Sequence, residues 1–246
     1  MYGSSKIYTL IFSILLVVGC TNNPVFEPQK HQIKNSTKWL VDKDSEKKIA
    51  KSLYKEFDRS GKLILLEEFD SVGKIQSRKV ITYAKNKKIE DITIYNKNNT
   101  QVRSKNIYQL NSAGKVIMLI SLNRNGDTLK ITKYKYDTQG NIIEKKSYDK
   151  KGKLIDKLFF LYNYDNSGVV TGRSVSDNSN GNFMSRDSMI YRPDIRQVER
   201  IRYNSGGKKQ ISYTYTYDNA GNVRKEIHSD KNGIVIRKYI FEYTYF

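Results

Sequence analysis

Cys20 is the only cysteine in this 246-residue chain, and His31 and His228 are its only histidines. One thiol makes neither an internal disulfide nor a four-thiolate zinc site. Two histidines so far apart give no HxxH or HExxH pair for a metal. The acid pairs Glu67-Glu68 and Asp42/Asp44 lack the surroundings of glycosidase carboxylates, and no serine stands in a G-x-S-x-G elbow. Aspartates recur in Asp-x-x-Gly segments, but each such segment offers one carboxylate where calcium takes about six to eight oxygens. They read as turn caps. His228 occupies the position where sister segments place Tyr148 or Tyr136, and so reads as a substituted strand residue rather than a base. No catalytic residue, metal or cofactor is expected.

The charge is the next feature. Lys and Arg number 44 against 25 Asp and Glu, for a formal net charge of +19. Nineteen tyrosines among so many lysines superficially suit a nucleic-acid binder. The lysines are nevertheless spread through turns and polar strand positions instead of forming a patch, and lysine on exposed strands also blocks edge-to-edge aggregation. Nucleic acid is therefore not an expected partner. Attraction to an anionic polysaccharide or an envelope protein fits the charge better.

Residues 1–19 differ from all that follows. Lys6 supplies a positive start, and Ile7–Val18 is apolar apart from Tyr8, Thr9 and Ser13. That run is shorter than the roughly 20 residues a membrane span requires and suits the apolar part of a secretory signal. It ends in Leu16-Val17-Val18-Gly19-Cys20, which resembles the lipobox of bacterial lipoproteins. The resemblance implies cleavage after Gly19, lipidation of the Cys20 thiol and acylation of its amino group, and hence a membrane partner. Thr21 in place of Asp favours the outer membrane, by the same analogy. The mature charge would be 43 − 25 = +18. Residues 20–47 are polar, hold Pro24 and Pro28, and read as a lipidated cysteine plus tether, with Trp39 either a staple to the domain or the first residue of a strand.

The elements that must position everything else are short strands between regular turns. Asp/Asn-x-x-Gly recurs from Asp58-Arg-Ser-Gly61 to Asp230-Lys-Asn-Gly233. With degenerate members at Ala84, Asn96 and Arg192 and a longer one at Asp177, fourteen turns begin at 58, 70, 84, 96, 111, 123, 137, 149, 165, 177, 192, 204, 218 and 230. A step of 12 alternates with one of 14 to 16 throughout. The first residue caps backbone amides and the glycine takes the left-handed conformation that closes a hairpin. Between turns, Ile211, Tyr213, Tyr215 and Tyr217 alternate with polar residues, as a strand requires. The expected fold is all-β: an antiparallel meander of about fifteen strands over residues 48–246, forming an elongated, twisted or coiled sheet whose aromatic face closes on itself. An outer-membrane barrel is disfavoured by the lipobox and by Asp156, Arg173 and Lys225, which interrupt the more apolar faces.

Segments such as Tyr134-Lys-Tyr136-Asp137-Thr-Gln-Gly140-Asn141 and Tyr215-Thr-Tyr217-Asp218-Asn-Ala-Gly221-Asn222 resemble the YD repeats of bacterial RHS proteins and teneurins. The resemblance implies a β-sheet spiral, which long members wrap into a shell around cargo; this chain is too short for a shell. Tyr134, Tyr136, Tyr213, Tyr215, Tyr217 and Tyr243 recur at strand ends, as core rings or as a stacking ladder for a ligand. The expected function is a non-enzymatic, membrane-anchored lipoprotein presenting a glycan- or protein-binding surface at the cell envelope. The alternatives are an accessory to a secreted toxin or polymorphic system, and an envelope hydrolase with an unrecognised site.

Overall fold

The computed structural model describes residues 32–96, 101–177 and 183–246. These hold sixteen strands: β1 (Ile33–Val41), β2 (Lys48–Phe57), β3 (Leu63–Phe69), β4 (Ile75–Ala84), β5 (Lys87–Tyr95), β6 (Gln101–Leu110), β7 (Val116–Leu122), β8 (Thr128–Tyr136), β9 (Ile142–Asp149), β10 (Leu154–Tyr164), β11 (Val170–Ser176), β12 (Phe183–Arg192), β13 (Gln197–Asn204), β14 (Lys209–Tyr217), β15 (Val223–Asp230) and β16 (Val235–Tyr245). Each pairs antiparallel with its neighbours in sequence, and β1 also pairs with β16, so the meander closes into a barrel.

Turn chemistry explains the meander. In the Asp149 turn, Asp149 Oδ1 accepts from the Lys151 and Lys153 amides, both at 2.9 Å. The Gly152 amide donates to the Asp149 carbonyl at 3.0 Å, and the Asp149 amide to the Lys153 carbonyl at 2.9 Å. Gly152 has φ +82°, and a Cβ there would meet nothing within 4 Å. The backbone conformation, not lack of space, therefore asks for glycine. The bulge shifts the register between Leu154 and Asp156.

Tyrosines near the ends of even-numbered strands close the same end of the barrel. Tyr83, Tyr136, Tyr162, Tyr191 and Tyr243 donate their hydroxyls to the carbonyls of Leu63, Val116, Ile142, Val170 and Val223, at 2.6–3.0 Å. Each acceptor is the first residue of the preceding odd-numbered strand. One side chain thus ties two turns together.

Two faces alternate along every strand. In a closed barrel, side chains converge on the concave face and splay on the convex one. The crowded face carries Lys38 (7% exposed), Thr132 (1%), Ser147 (1%), Asp187 (2%) and Glu226 (3%). It is therefore the interior. Only nine hydrophobic side chains are buried among the described residues. Walls this poor in buried apolar groups share no central core, consistent with a barrel of sixteen strands being wider than its side chains can fill.

Three expectations are corrected. The sheet is a closed barrel, not an elongated, open coil, and it has sixteen strands. Twelve of the fourteen predicted turns join consecutive strands between β2 and β16, and those starting at Asn96 and Asp177 run outside the described residues; the extra strand is β1, which lies inside the stretch read as tether (residues 20–47). β1 closes the ring because an even number of meandering strands leaves the first and last antiparallel. Finally, Asp156 and Arg173 do not bear on the outer surface: their partners across the ladder, Ser147 and Asp187, place both on the concave face. The signal segment 1–19 and Cys20 lie outside the described residues.

Candidate binding site in the barrel interior

The registers gather charged side chains from separate strands into three interior clusters. The largest lies on β11, β12 and β13. Asp187 faces Arg173 on one side and Arg202 on the other. Its Oδ2 accepts from Arg173 Nη2 at 2.8 Å and Arg200 Nη2 at 2.9 Å, and its Oδ1 from Arg202 Nε at 3.2 Å. Burial alone would raise the Asp187 carboxyl, but the three guanidiniums, Arg200 foremost, outweigh it and hold the pKa below the usual 3.8. The Tyr213 ring lies 5.4 Å from the Arg200 guanidinium and 5.9 Å from that of Arg202.

A second cluster spans the seam where the barrel closes. Lys38 on β1 reaches past β16 to Glu226 on β15 at 2.7 Å, with its ammonium 3.9 Å from the Tyr239 ring centre. Glu226 also pairs with His228. Burial draws the Lys38 pKa down despite its partner, and it draws down that of neighbouring Lys55, where the Lys38 charge adds to the effect. Burial opposes ionisation of Glu226 too, yet the His228 hydrogen bond and the Lys38 charge keep its pKa below 4.5. The third cluster is smaller: Glu90 takes Lys88 at 2.9 Å and the Tyr108 hydroxyl at 2.7 Å.

The six tyrosines singled out from sequence all share the concave face, but the barrel does not join them into one ladder. Tyr134 and Tyr136 stand on β8, six strands from Tyr213, Tyr215 and Tyr217 on β14. Tyr243 is on β16 beside Ser36. The hydroxyls of Tyr136 and Tyr243 are held by backbone carbonyls. Burial raises the Tyr134 and Tyr217 hydroxyls to about 12. His228 lies edge-on to Tyr213 at 4.8 Å, in keeping with its reading as a substituted strand residue. Glu67 and Glu68 point to opposite faces, toward Arg78 and Ser77. Asp42 caps its own turn, accepting from the Asp44 and Ser45 amides.

The Asp187 cluster escaped sequence reading because its arginines lie thirteen to fifteen positions from Asp187 and share no motif with it. A signal was present: reflecting Asp187 through the turns on either side lands on Arg173 and Arg202. Among the described residues, no group of three or more His, Cys, Asp or Glu could hold a metal ion, and no helix is long and apolar enough to cross a membrane.

No family model and no curated protein matches the chain. Among solved structures it is similar to a porin-like protein from Bacteroides uniformis, 14% identical, with a TM-score of 0.44 over 89% of this chain and 100% of that one. A porin-like protein from Bacteroides vulgatus is also 14% identical, with a TM-score of 0.46 over 86% and 98%. A TcdB2-TccC3 structure is 11% identical, with a TM-score of 0.25 over 80% of this chain and 15% of that one. These likenesses are too distant to bear on what the chain does.

Proposed function

We propose that the protein is a lipid-anchored barrel of the bacterial cell envelope that stands in water beside its membrane and binds a ligand, a glycan or a protein, without catalysing a reaction on it. The observation that carries this reading is the convex face. Charges lie on it well inside the strands, where a membrane barrel would present an apolar band. Lys105 pairs with Asp91 at 3.2 Å and Arg78 with Glu67 at 3.5 Å. Lys133 and Lys146 face each other across β8 and β9. Each lysine or arginine at a bilayer midplane costs about 2–4 kcal/mol, so immersion of this wall is disfavoured many times over. Attachment then falls to the lipobox-like segment and Cys20. Several acyl chains, at about 0.8 kcal/mol per buried methylene, would suffice to hold it.

The test is fractionation of cells expressing the full chain and its Cys20→Ala variant. The native chain is expected in the membrane fraction, labelled by radioactive palmitate. The variant is expected unlabelled and released by a salt wash, with unchanged β-type circular dichroism. Palmitate on the variant, or a variant that still resists extraction like an integral protein, would sink the proposal.

A further inference from the structure

We propose that Lys55, with the parallel rings of Phe241 and Tyr243, forms a site for an acidic sugar on the inner wall beside the seam, the lysine taking the carboxylate of a uronic acid and the rings its apolar face. This gives the binding role above a ligand class, and rests on that reading for the ligand being a glycan.

The lysine is the first observation. Lys55 pairs with Ser36 in the ladder between β1 and β2, and so stands on the concave face with Lys38. It is half-buried, and among the described residues it has no hydrogen-bond or ion-pair partner. Glu226, whose charge favours the Lys55 ammonium, is already in use: its Oε2 accepts from Lys38 and its Oε1 meets His228. Burial and the Lys38 charge both act against that ammonium. An unpaired cation in a half-buried place beside a second cation is unfavourable, and local rules of this kind are broken where a protein is built for a ligand. A bound carboxylate would remove the cost.

The rings are the second observation. Ser36 pairs with Tyr243 on its other side, and Lys38 with Phe241. Both rings therefore share the face of Lys55, across β1 from it. Their planes differ by 12°, with centres 6.5 Å apart, and both are half-buried. Together they make a flat apolar surface next to an unpaired cation. A pyranose has flat faces of C–H groups and a polar edge, and a uronic acid carries its carboxylate on that edge. An apolar wall with one placed charge suits such a ligand. A simple anion would use the lysine alone.

The experiment is calorimetric titration of the purified full chain in detergent with sodium glucuronate, sodium acetate and methyl glucoside at equal ionic strength. Saturable binding of glucuronate is expected, at least about tenfold tighter than that of either other probe. Lys55→Gln should weaken it at least about tenfold. Phe241→Leu, which stays apolar but loses the flat ring, should weaken it as well. Lys130 shares the concave face with Thr132 on β8, the opposite wall of the ring, and Lys130→Gln should leave binding unchanged. Lys55→Gln should also melt no lower than the native chain, because it removes an unpaired charge. A residue kept for structure alone would not combine lost binding with retained stability. No saturable glucuronate binding by the native chain, equal binding by Lys55→Gln, a markedly lower melting temperature in that variant, or equal loss in Lys130→Gln would overturn the site. Acetate binding as tight as that of glucuronate would overturn its assignment to a sugar. None of these outcomes depends on how the chain is attached, so a failed titration and a Cys20→Ala variant that stays in the membrane refute different proposals.

Discussion

Tyr136 and Asp149 secure two hairpins, β7–β8 and β9–β10, in different ways. The Asp149 carboxylate fixes a turn from within, by holding amides two and four residues ahead. The Tyr136 hydroxyl fixes a strand start from outside, reaching the Val116 carbonyl at 2.6 Å across the end of the barrel. A half-buried carbonyl that loses its donor retains its desolvation cost. Tyr136→Phe is therefore expected to lower stability by about 1 kcal/mol while leaving circular dichroism unchanged, as read from urea unfolding midpoints. No change in the midpoint would mean that water replaces the hydroxyl without loss.

At the scale of elements, parity governs. Deleting Asp137 through Tyr164 removes β9, β10 and two turns, and joins Tyr136 to Asp165 as another Tyr-Asp step. Fourteen strands remain, and the first and last still meet antiparallel. Deleting Asp137 through Tyr148 removes one strand, and the fifteen that remain cannot close with every pair antiparallel. The first deletion is expected to melt cooperatively, and the second to lose its cooperative transition in a thermal scan followed by circular dichroism. Equal melting of both would contradict closure. The turns and β2–β16 were legible in the sequence because their determinants are local: an Asp or Asn, a glycine and an alternating run. Closure was not. β1 carries the run Ile33-Lys-Asn-Ser-Thr-Lys-Trp-Leu-Val41, with more polar than apolar residues. Its turn to β2 has no Asp-x-x-Gly and uses Glu46 at φ +55° instead. The interior arginine cluster went unread for a related reason, since its members meet only once the register of neighbouring strands is laid out.

The whole molecule should show a stability plateau bounded on both sides. Asp187, Glu226 and Glu90 have pKa values below the ordinary 3.8 and 4.5, held there by cationic neighbours against burial. A depressed carboxyl contributes stability that is complete above the unfolded value and lost as pH falls through the folded one. The acid decline therefore begins near pH 4.5 and steepens below it. Tyrosines act in the opposite sense. Burial raises Tyr134 and Tyr217 from 10 to about 12, so the unfolded chain gives up these protons first and stability falls from about pH 10 upward. Melting temperatures should be flat above the acid limit until Lys38 and Lys55, whose pKa values burial lowers below 10.5, lose their protons in the folded chain, which adds a small rise before the tyrosine decline. A decline beginning near neutrality would assign the weak point to another group.

The seam between β1 and β16 sets the order of assembly. Every other pairing joins strands adjacent in the chain, whereas Trp39 and Glu242, bonded across the seam, are 203 residues apart. Bringing such distant segments together costs about 3–4 kcal/mol more loop entropy than closing a four-residue hairpin. The hairpins can zip independently, and the seam forms only after they have curved the sheet far enough for its ends to meet. Until then the chain is a curved ribbon with two unsatisfied edges. Each edge is complementary to the opposite edge of another copy, so the same contact that completes one molecule could link ribbons head to tail. Assembly is consequently a race between first-order closure and second-order joining. Dilution favours the closed ring, and crowding of newly made chains favours the chain of ribbons.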